Sequence, residues 1–394
     1  MMADVEPQPI LTPPTPAAIF LVATVRPGEE HRVRDLLADA AGLARSIGSR
    51  HPEAGLACVI GIGSALYDRL FAGPRPSGLH PFRPIAGPRH TAVATPGDLL
   101  LHLRATRIDL CVEFADQFLR NAGDALTVVD EVQGFQYFDE RDLLGFVDGT
   151  ENPSGAAAVR AVLIGSEDPD FAGGSYVIVQ KYRHDMEAWN ALSTAEQERV
   201  IGRTKLDNIE MSDDDKPSDS HVALTVITDD EGNQLQIVRS NMPFASFATG
   251  ERGTYFIGYA ADPSVTEQML RNMFIGKPFG NTDRVLDFST AVTGSLFFVP
   301  GAEFLDNLPA PPGQAGSLVA AGAFAASAVG APTRDVPEPA ASTTGASASS
   351  ANAPGAGSPT DGTTPANASG GNRTPAGGTL RIGSLKNRQG ASTT

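Results

Sequence analysis

An aspartate closes a short apolar run in GFVDGTENP, residues 145–153, where Phe146 and Val147 lead into Asp148 and Gly149 follows. A carboxylate placed there can take and return a proton at the edge of an apolar cavity. It can equally make a turn, because Asp-Gly and Asn-Pro are common turn formers and Asp bonds its own backbone readily. A second group comes from IVRSNMPF, residues 237–244. Arg239 and Asn241 are two apart and share one face if the segment is a strand. An arginine at a strand end before a proline turn usually makes a surface ion pair. The chemistry follows only if the fold brings Asp148, Arg239, Asn241 and one further group, His221, together.

The seven histidines are His31, His51, His80, His90, His102, His184 and His221. For most, a surface or hydrogen-bonded role accounts for the residue. His221 differs in its setting. The acidic loop MSDDDKPSDS ends at it and VALTVI begins after it. An imidazole at the mouth of a buried strand, beside an apolar cavity, is what an axial haem ligand needs. A histidine alone does not establish one.

The elements that must position these residues fall into two similar halves. The first reads as a strand at 17–25, an amphipathic helix at 29–47 and strands at 55–63 and 98–106. A helix at 108–123 and a strand at 126–136 follow. The second reads as a strand at 175–183, helical stretches through 185–201 with Ser193 and Glu196 as a capping box, and strands at 221–227, 235–240 and 253–260. A helix at 264–274 leads to a strand at 294–300. Strand–helix–strand–strand–helix–strand, twice over, predicts an α+β fold of two ferredoxin-like units with antiparallel sheets. The expected boundaries are an N-terminal arm 1–16, a first unit 17–136, a connecting segment 137–174 and a second unit 175–308.

Composition narrows the function classes. The 394-residue chain has a net charge of −16. From Pro312 onward there are five basic and three acidic residues, so the acidity lies in the body. An acidic body repels nucleic acid and anionic membranes. Cys58 and Cys111 lack metal spacing and read as small buried hydrophobes of a reducing compartment. The first residues show no basic or apolar leader pattern, and no run is long enough to span a bilayer, so a cytoplasmic protein is expected.

Together GFVDGTENP, the His221 segment, IVRSNMPF and LDFSTAVTGSLFFVP (286–300) resemble the dye-decolorising peroxidase family, nearest its bacterial B type. The likeness runs over residues 9–308 and includes KYRHDMEAWNALSTAEQERVIGRTK (181–205). It implies haem b in the second unit, with His221 as axial iron ligand and His184 as runner-up. It implies a cluster of Asp148, Arg239 and Asn241 on the peroxide side, with Gly149, Thr150 and Glu151 against the haem. Asp287 is the candidate carboxylate to receive the other N–H of His221, or else a helix or turn cap. The implied activity is reduction of H2O2 with oxidation of organic donors such as dyes and phenols, in oxidative stress defence, by a homo-oligomer. Trp189, Tyr137 or Tyr182 could relay electrons from bulky donors, or simply pack. The alternatives are a protein that binds haem or releases its iron without peroxidase turnover, and an interaction protein without a cofactor.

Beyond Leu308 the chain turns to Ala, Gly, Ser, Thr and Pro, a composition that cannot bury enough apolar surface to order itself. A disordered linker is expected at 309–378. At its end, GGTLRIGSLKNR restores large aliphatic residues: Leu380, Ile382 and Leu385 around Gly383 and Ser384. A short apolar motif on a flexible tether docks well into a partner's surface pockets. This one resembles the peptide that loads such peroxidases into encapsulin shells, which implies an encapsulin shell protein as partner of residues 379–388. A flexible chain from Pro312 to Thr379 would span about 45 Å.

Overall fold

The structure, a computed structural model, describes residues 6–313. The expected peptide and nearly all of the expected linker lie outside them. Ten strands form one sheet: β1 (Ala17–Val25), β2 (Ala57–Gly63), β3 (Leu99–Ala105), β4 (Leu126–Phe135), β5 (Ser175–His184), β6 (Val238–Arg239), β7 (Met242–Ser246), β8 (Glu251–Ala260), β9 (Ser289–Ala291) and β10 (Ser295–Val299). The order is β6-β8-β5-β10-β2-β3-β1-β4, with β7 also on β8 and β9 also on β5. Every pairing is antiparallel. The two expected units therefore share one sheet. They are joined where Phe297 and Phe298 of β10 pair with Gly63 and Ile62 of β2.

The period of two along β1 shows what the sheet does. Ala18, Phe20 and Val22 enter an inner core with Val177, Val179, Tyr255, Ile257 and Tyr259 from the other half. Ile19, Leu21 and Val25 enter an outer core, packed with α1 (Glu30–Gly48) and α2 (Ile108–Ala122). Both faces are buried, so β1 reads as an unbroken apolar run. The halves fold towards each other: Phe20 of β1 stacks on Tyr255 of β8 at 4.3 Å between ring centroids. A methyl group at Gly134 of β4 would sit 2.6 Å from Cβ of Met242, so only glycine allows β4 and β7 to come this close.

The arm is ordered where it is described. The buried Gln8 side chain donates to Ile60 O and Pro300 O and accepts from Ile60 N. It serves as a substitute strand partner across the join.

One expected strand is a helix. His221–Thr225 forms a turn of helix, α3, and only Ile227–Thr228 is extended. The β-branched residues pointed to a strand, but tertiary contacts decide. Thr225 Oγ1 donates to His221 O, and Asn272 on α4 (Pro263–Phe274) donates to Leu224 O. The expected capping box at Ser193 forms, its hydroxyl accepting from Glu196 N at 3.2 Å. Among the described residues no helix is long and apolar enough to cross a membrane. Cys58 and Cys111 are free thiols, each pushed up by burial.

Candidate functional site

A cleft opens on the outer face of the second half-sheet. Tyr182 and His184 of β5 and Thr254 and Phe256 of β8 form one wall, closed by α3, α4 and the loop that carries Asp148. That loop is a tight hairpin. Asp148 N donates to Glu140 O, Asp142 N donates to Phe146 O, and Arg141 bridges to Val147. Gly149 then adopts φ +76°, a conformation that favours glycine, and turns the chain so that its N–H donates to Asp148 Oδ1 at 2.7 Å.

The convergence required of Asp148, Arg239 and Asn241 is present. Asn241 Nδ2 lies 3.2 Å from Asp148 Oδ1 and 3.0 Å from Oδ2, while its own Oδ1 accepts from Ile257 N on β8. The amide clamps the carboxylate to the sheet. Arg239 is held through its backbone. Asn152 Oδ1 accepts from Arg239 N at 2.9 Å and Asn152 Nδ2 donates to Arg239 O at 2.7 Å. Asn152 thus locks GFVDGTENP to IVRSNMPF, a role hidden behind its reading as half of an Asn-Pro turn. Arg239 makes no side-chain hydrogen bond or ion pair among the described residues, and its Nε is buried without a partner. Thr150 accepts from Asn208, and Glu151 pairs with Arg203 at 2.9 Å.

His221 opens α3 and lines the same cleft. Its Nδ1 lies 2.7 Å from Oδ2 of Asp283, whose side chain is fully buried. A carboxylate facing this ring nitrogen places the proton on Nδ1 and leaves the Nε2 lone pair to the cleft. Burial alone pushes the imidazole down. The Asp283 charge and hydrogen bond outweigh it and hold the pKa above its ordinary value, although Arg239 opposes them.

Asp287 does not have the role expected of it. Its carboxylate accepts instead from Arg89 at 2.6 Å and bonds His90 Nε2 at 2.9 Å. Nor is it a cap, for it is the last residue of a 3-10 turn, Arg284–Asp287, that Asp283 caps by accepting from Val285 N. With about three residues per turn, such a helix rotates positions 283 and 287 well apart. Asp283 combines both suggested roles.

The runner-up His184 has both ring nitrogens engaged, Nδ1 with Ser289 Oγ at 2.8 Å and Nε2 with Thr254 Oγ1 at 3.0 Å, and burial lowers its pKa to about 4. Trp189 is fully buried and donates to Leu144 O. Tyr182 donates to Gln180 Oε1, and Tyr137 packs edge-on against Phe135 and Phe138. Sequence reading passed over Asp142, which lines the cleft and accepts from Phe146 N. Burial, with the Asp148 charge also raising it, pushes its carboxyl up to about 7.

The cleft suits a flat apolar macrocycle with an iron centre. An apolar wall carries one unengaged imidazole nitrogen, and an unpartnered buried guanidinium nitrogen stands at the same cleft. Comparison with known proteins agrees. Residues 7–136 match the family described as Dyp-type peroxidase, N-terminal, and residues 139–304 match Dyp-type peroxidase, C-terminal. A dye-decolorizing peroxidase of Mycobacterium tuberculosis is 63% identical over 320 residues, covering 81% of this chain and 96% of that protein. The encapsulated DyP-type peroxidase from Mycobacterium smegmatis, solved by cryo-EM, is 62% identical with a TM-score of 0.77, covering 78% of this chain and 99% of that one. A variant of DypB from Rhodococcus jostii RHA1, solved in complex with heme, is 56% identical with a TM-score of 0.75, covering 77% and 99%.

The chain belongs to the Dyp-type peroxidase family. It is a haem-dependent peroxidase with the mixed helix and antiparallel-sheet fold of that family.

Asp142 yields a pH prediction. Its carboxyl binds a proton more tightly in the folded chain than in the unfolded one, so its contribution to stability is lost as pH rises from the ordinary carboxyl range through about 7. Denaturant midpoints of the apoprotein between about pH 5 and about pH 8 are expected to fall, and Asp142→Asn to flatten that fall. Identical slopes in the two proteins would show that Asp142 does not titrate there.

Proposed function

We propose that haem b lies in this cleft with His221 as its axial ligand, and that the Asp148–Arg239–Asn241 cluster faces the peroxide. The observation that carries this reading is the His221–Asp283 hydrogen bond. It leaves Nε2 open to a cleft that also contains Asp148 and Arg239. Bound haem supplies the iron at which H2O2 is reduced and from which an organic donor is then oxidised.

The protein groups move the proton and the charge. Gly149 N and Asn241 hold Asp148 Oδ1, and Asn241 alone holds Oδ2, so Oδ2 is the freer oxygen. It takes a proton from one peroxide oxygen and returns it to the departing one, as general base and then acid. Arg239, fixed through its backbone by Asn152, supplies permanent positive charge where the departing oxygen becomes negative. Asp283 raises the basicity of His221 and fixes its ring plane. Gly149, Thr150 and Glu151 form the cleft edge against the haem.

The physiological setting is also proposed: a cytoplasmic homo-oligomer in oxidative stress defence, oxidising dyes or phenols in the assay and packaged in an encapsulin shell. Support comes from the encapsulated relative of Mycobacterium smegmatis and from GGTLRIGSLKNR, residues 377–388. Leu380, Ile382 and Leu385 would fill apolar pockets of the shell, with Gly383 and Ser384 permitting the bend. Several such peptides on one oligomer would add avidity to weak docking.

Three measurements test these readings. His221→Ala is expected to lose most haem absorbance, Asp283→Ala to weaken iron–ligand binding about 10- to 100-fold, and His184→Ala to keep the wild-type Soret band; the reverse ranking transfers the ligand role to His184. In stopped flow, Arg239→Leu is expected to slow the reaction with H2O2 by about 10²- to 10³-fold, and Asp148→Ala to slow it as well. Wild-type rates in both remove the cluster from the mechanism. Truncation after Gly378 is expected to leave haem content and dye oxidation intact and abolish co-purification with co-expressed shell protein; continued packaging disproves the docking role.

A further inference from the structure

Behind the cleft wall, on the opposite face of β8, four aromatic rings form a continuous buried stack. Tyr255 lies against Phe20 at 4.3 Å, Phe20 against His102 at 4.8 Å, and His102 beside Tyr259 at 6.1 Å. All four side chains are fully buried in the inner core. The strand alternates, so Thr254 and Phe256 face the cleft while Tyr255 and Tyr259 face the stack. Tyr259 pairs with Val238, whose neighbour Arg239 lines the cleft.

The two tyrosines differ in one respect that decides what each can do. Tyr255 Oη is buried with no hydrogen-bond partner among the described residues. Tyr259 Oη lies 2.8 Å from His102 Nδ1. A phenol that loses an electron becomes a strong acid and must place its proton on a base. Among the described residues Tyr255 has no base at hydrogen-bond distance, the Asp130 carboxylate acting on it only through its charge, whereas Tyr259 has a buried imidazole at 2.8 Å.

We infer that Tyr259 and His102 form an internal redox site, resting on the peroxidase reading above. Tyr259 gives one electron to the peroxide-oxidised haem. Its O–H bond breaks as an N–H bond forms on His102 Nδ1, which leaves a neutral tyrosyl radical beside an imidazolium. A one-electron donor later restores the electron, and the proton returns from His102 to the phenolic oxygen. Burial, aided by Arg104, keeps the resting imidazole neutral; Nδ1 accepts from Tyr259 in the tautomer that carries its proton on Nε2, an atom buried without a partner among the described residues. Among the described residues Arg104 is the one charged neighbour acting on both rings; its guanidinium is tied to Pro9 O, Thr12 O and Thr12 Oγ1. The cost of charging His102 there makes the site accessible only to a strong oxidant. The pair would hold one oxidising equivalent inside the inner core when no donor occupies the surface.

The test uses the full haem-loaded chain, mixed with equimolar H2O2, freeze-quenched and examined by EPR. The expected result is a tyrosyl signal that narrows when the protein carries ring-deuterated tyrosine. It should be lost in Tyr259→Phe, retained in Tyr255→Phe and strongly reduced in His102→Gln, with the Soret band confirming haem in each. On the apoprotein, 15N NMR is expected to show His102 Nδ1 as an unprotonated acceptor. A tyrosyl signal unchanged in Tyr259→Phe overturns the inference, as does a protonated Nδ1. Where Tyr259→Phe fails to load haem, His102→Gln and the nitrogen shift decide. If H2O2 is consumed and no tyrosyl signal forms, this inference alone fails. If H2O2 leaves the Soret band unaltered and is not consumed, the peroxidase reading fails with it.

Discussion

Neutral imidazole has two nitrogens and one proton, so whatever accepts the hydrogen bond of its N–H decides what the other nitrogen can do. In this chain Asp283 accepts it from His221 Nδ1. The buried carboxylate engages His221 Nδ1 with one oxygen and caps the following 3-10 turn with the other, while its own N–H donates to Met273 O at the end of α4. Fixing one tautomer thus depends on a helix, a loop and a turn meeting at one side chain. The cleft is built around that requirement: α3 carries the imidazole, and α4 ties α3 in place through Asn272.

The opposite side of the cleft follows a different principle. Among the described residues neither Asp148 nor Arg239 is positioned by a partner of opposite charge. An amide clamps the carboxylate, and another amide grips the arginine by its main chain. Neutral amides orient charged groups without neutralising them, so each keeps its field for a bound molecule. The sheet contributes by separating its two faces. The outer face of β8 lines the cleft, and the inner face packs into the apolar core between the half-sheets.

Much of this was legible in the sequence, for identifiable reasons. The long elements carry clean periods, so the strand at 17–25 and the helix at 108–123 fall within a residue or two of their observed limits. The meeting of Asp148, Arg239 and Asn241 at one cleft was legible because the segments that carry them resemble a family motif. Asp283 was not, because its role depends on a contact with a residue 62 positions away and Asp287 looks equally suitable on composition. The helical turn at His221 was missed because local β-propensity favoured a strand, and packing on α4 overruled it. Asn152 was missed because a turn fully accounts for Asn-Pro, so nothing marked its side chain as a clamp. The joining of the two half-sheets through β10 and β2 leaves no local trace, since each edge strand looks complete in itself.

That join gives the N-terminal arm an unusual place in the order of assembly. Gln8 is synthesised before both residues that its side chain binds, Ile60 and Pro300, the second of them 292 positions further along the chain. Local hairpins and helices of each half can form as they emerge, because closing short loops costs little entropy. The arm has nothing complete to bind until β10 has been made and has found β2. Its docking is therefore a late event of biogenesis, and the exposed edge at Ile60 remains open to wrong partners for most of the time the chain is being synthesised.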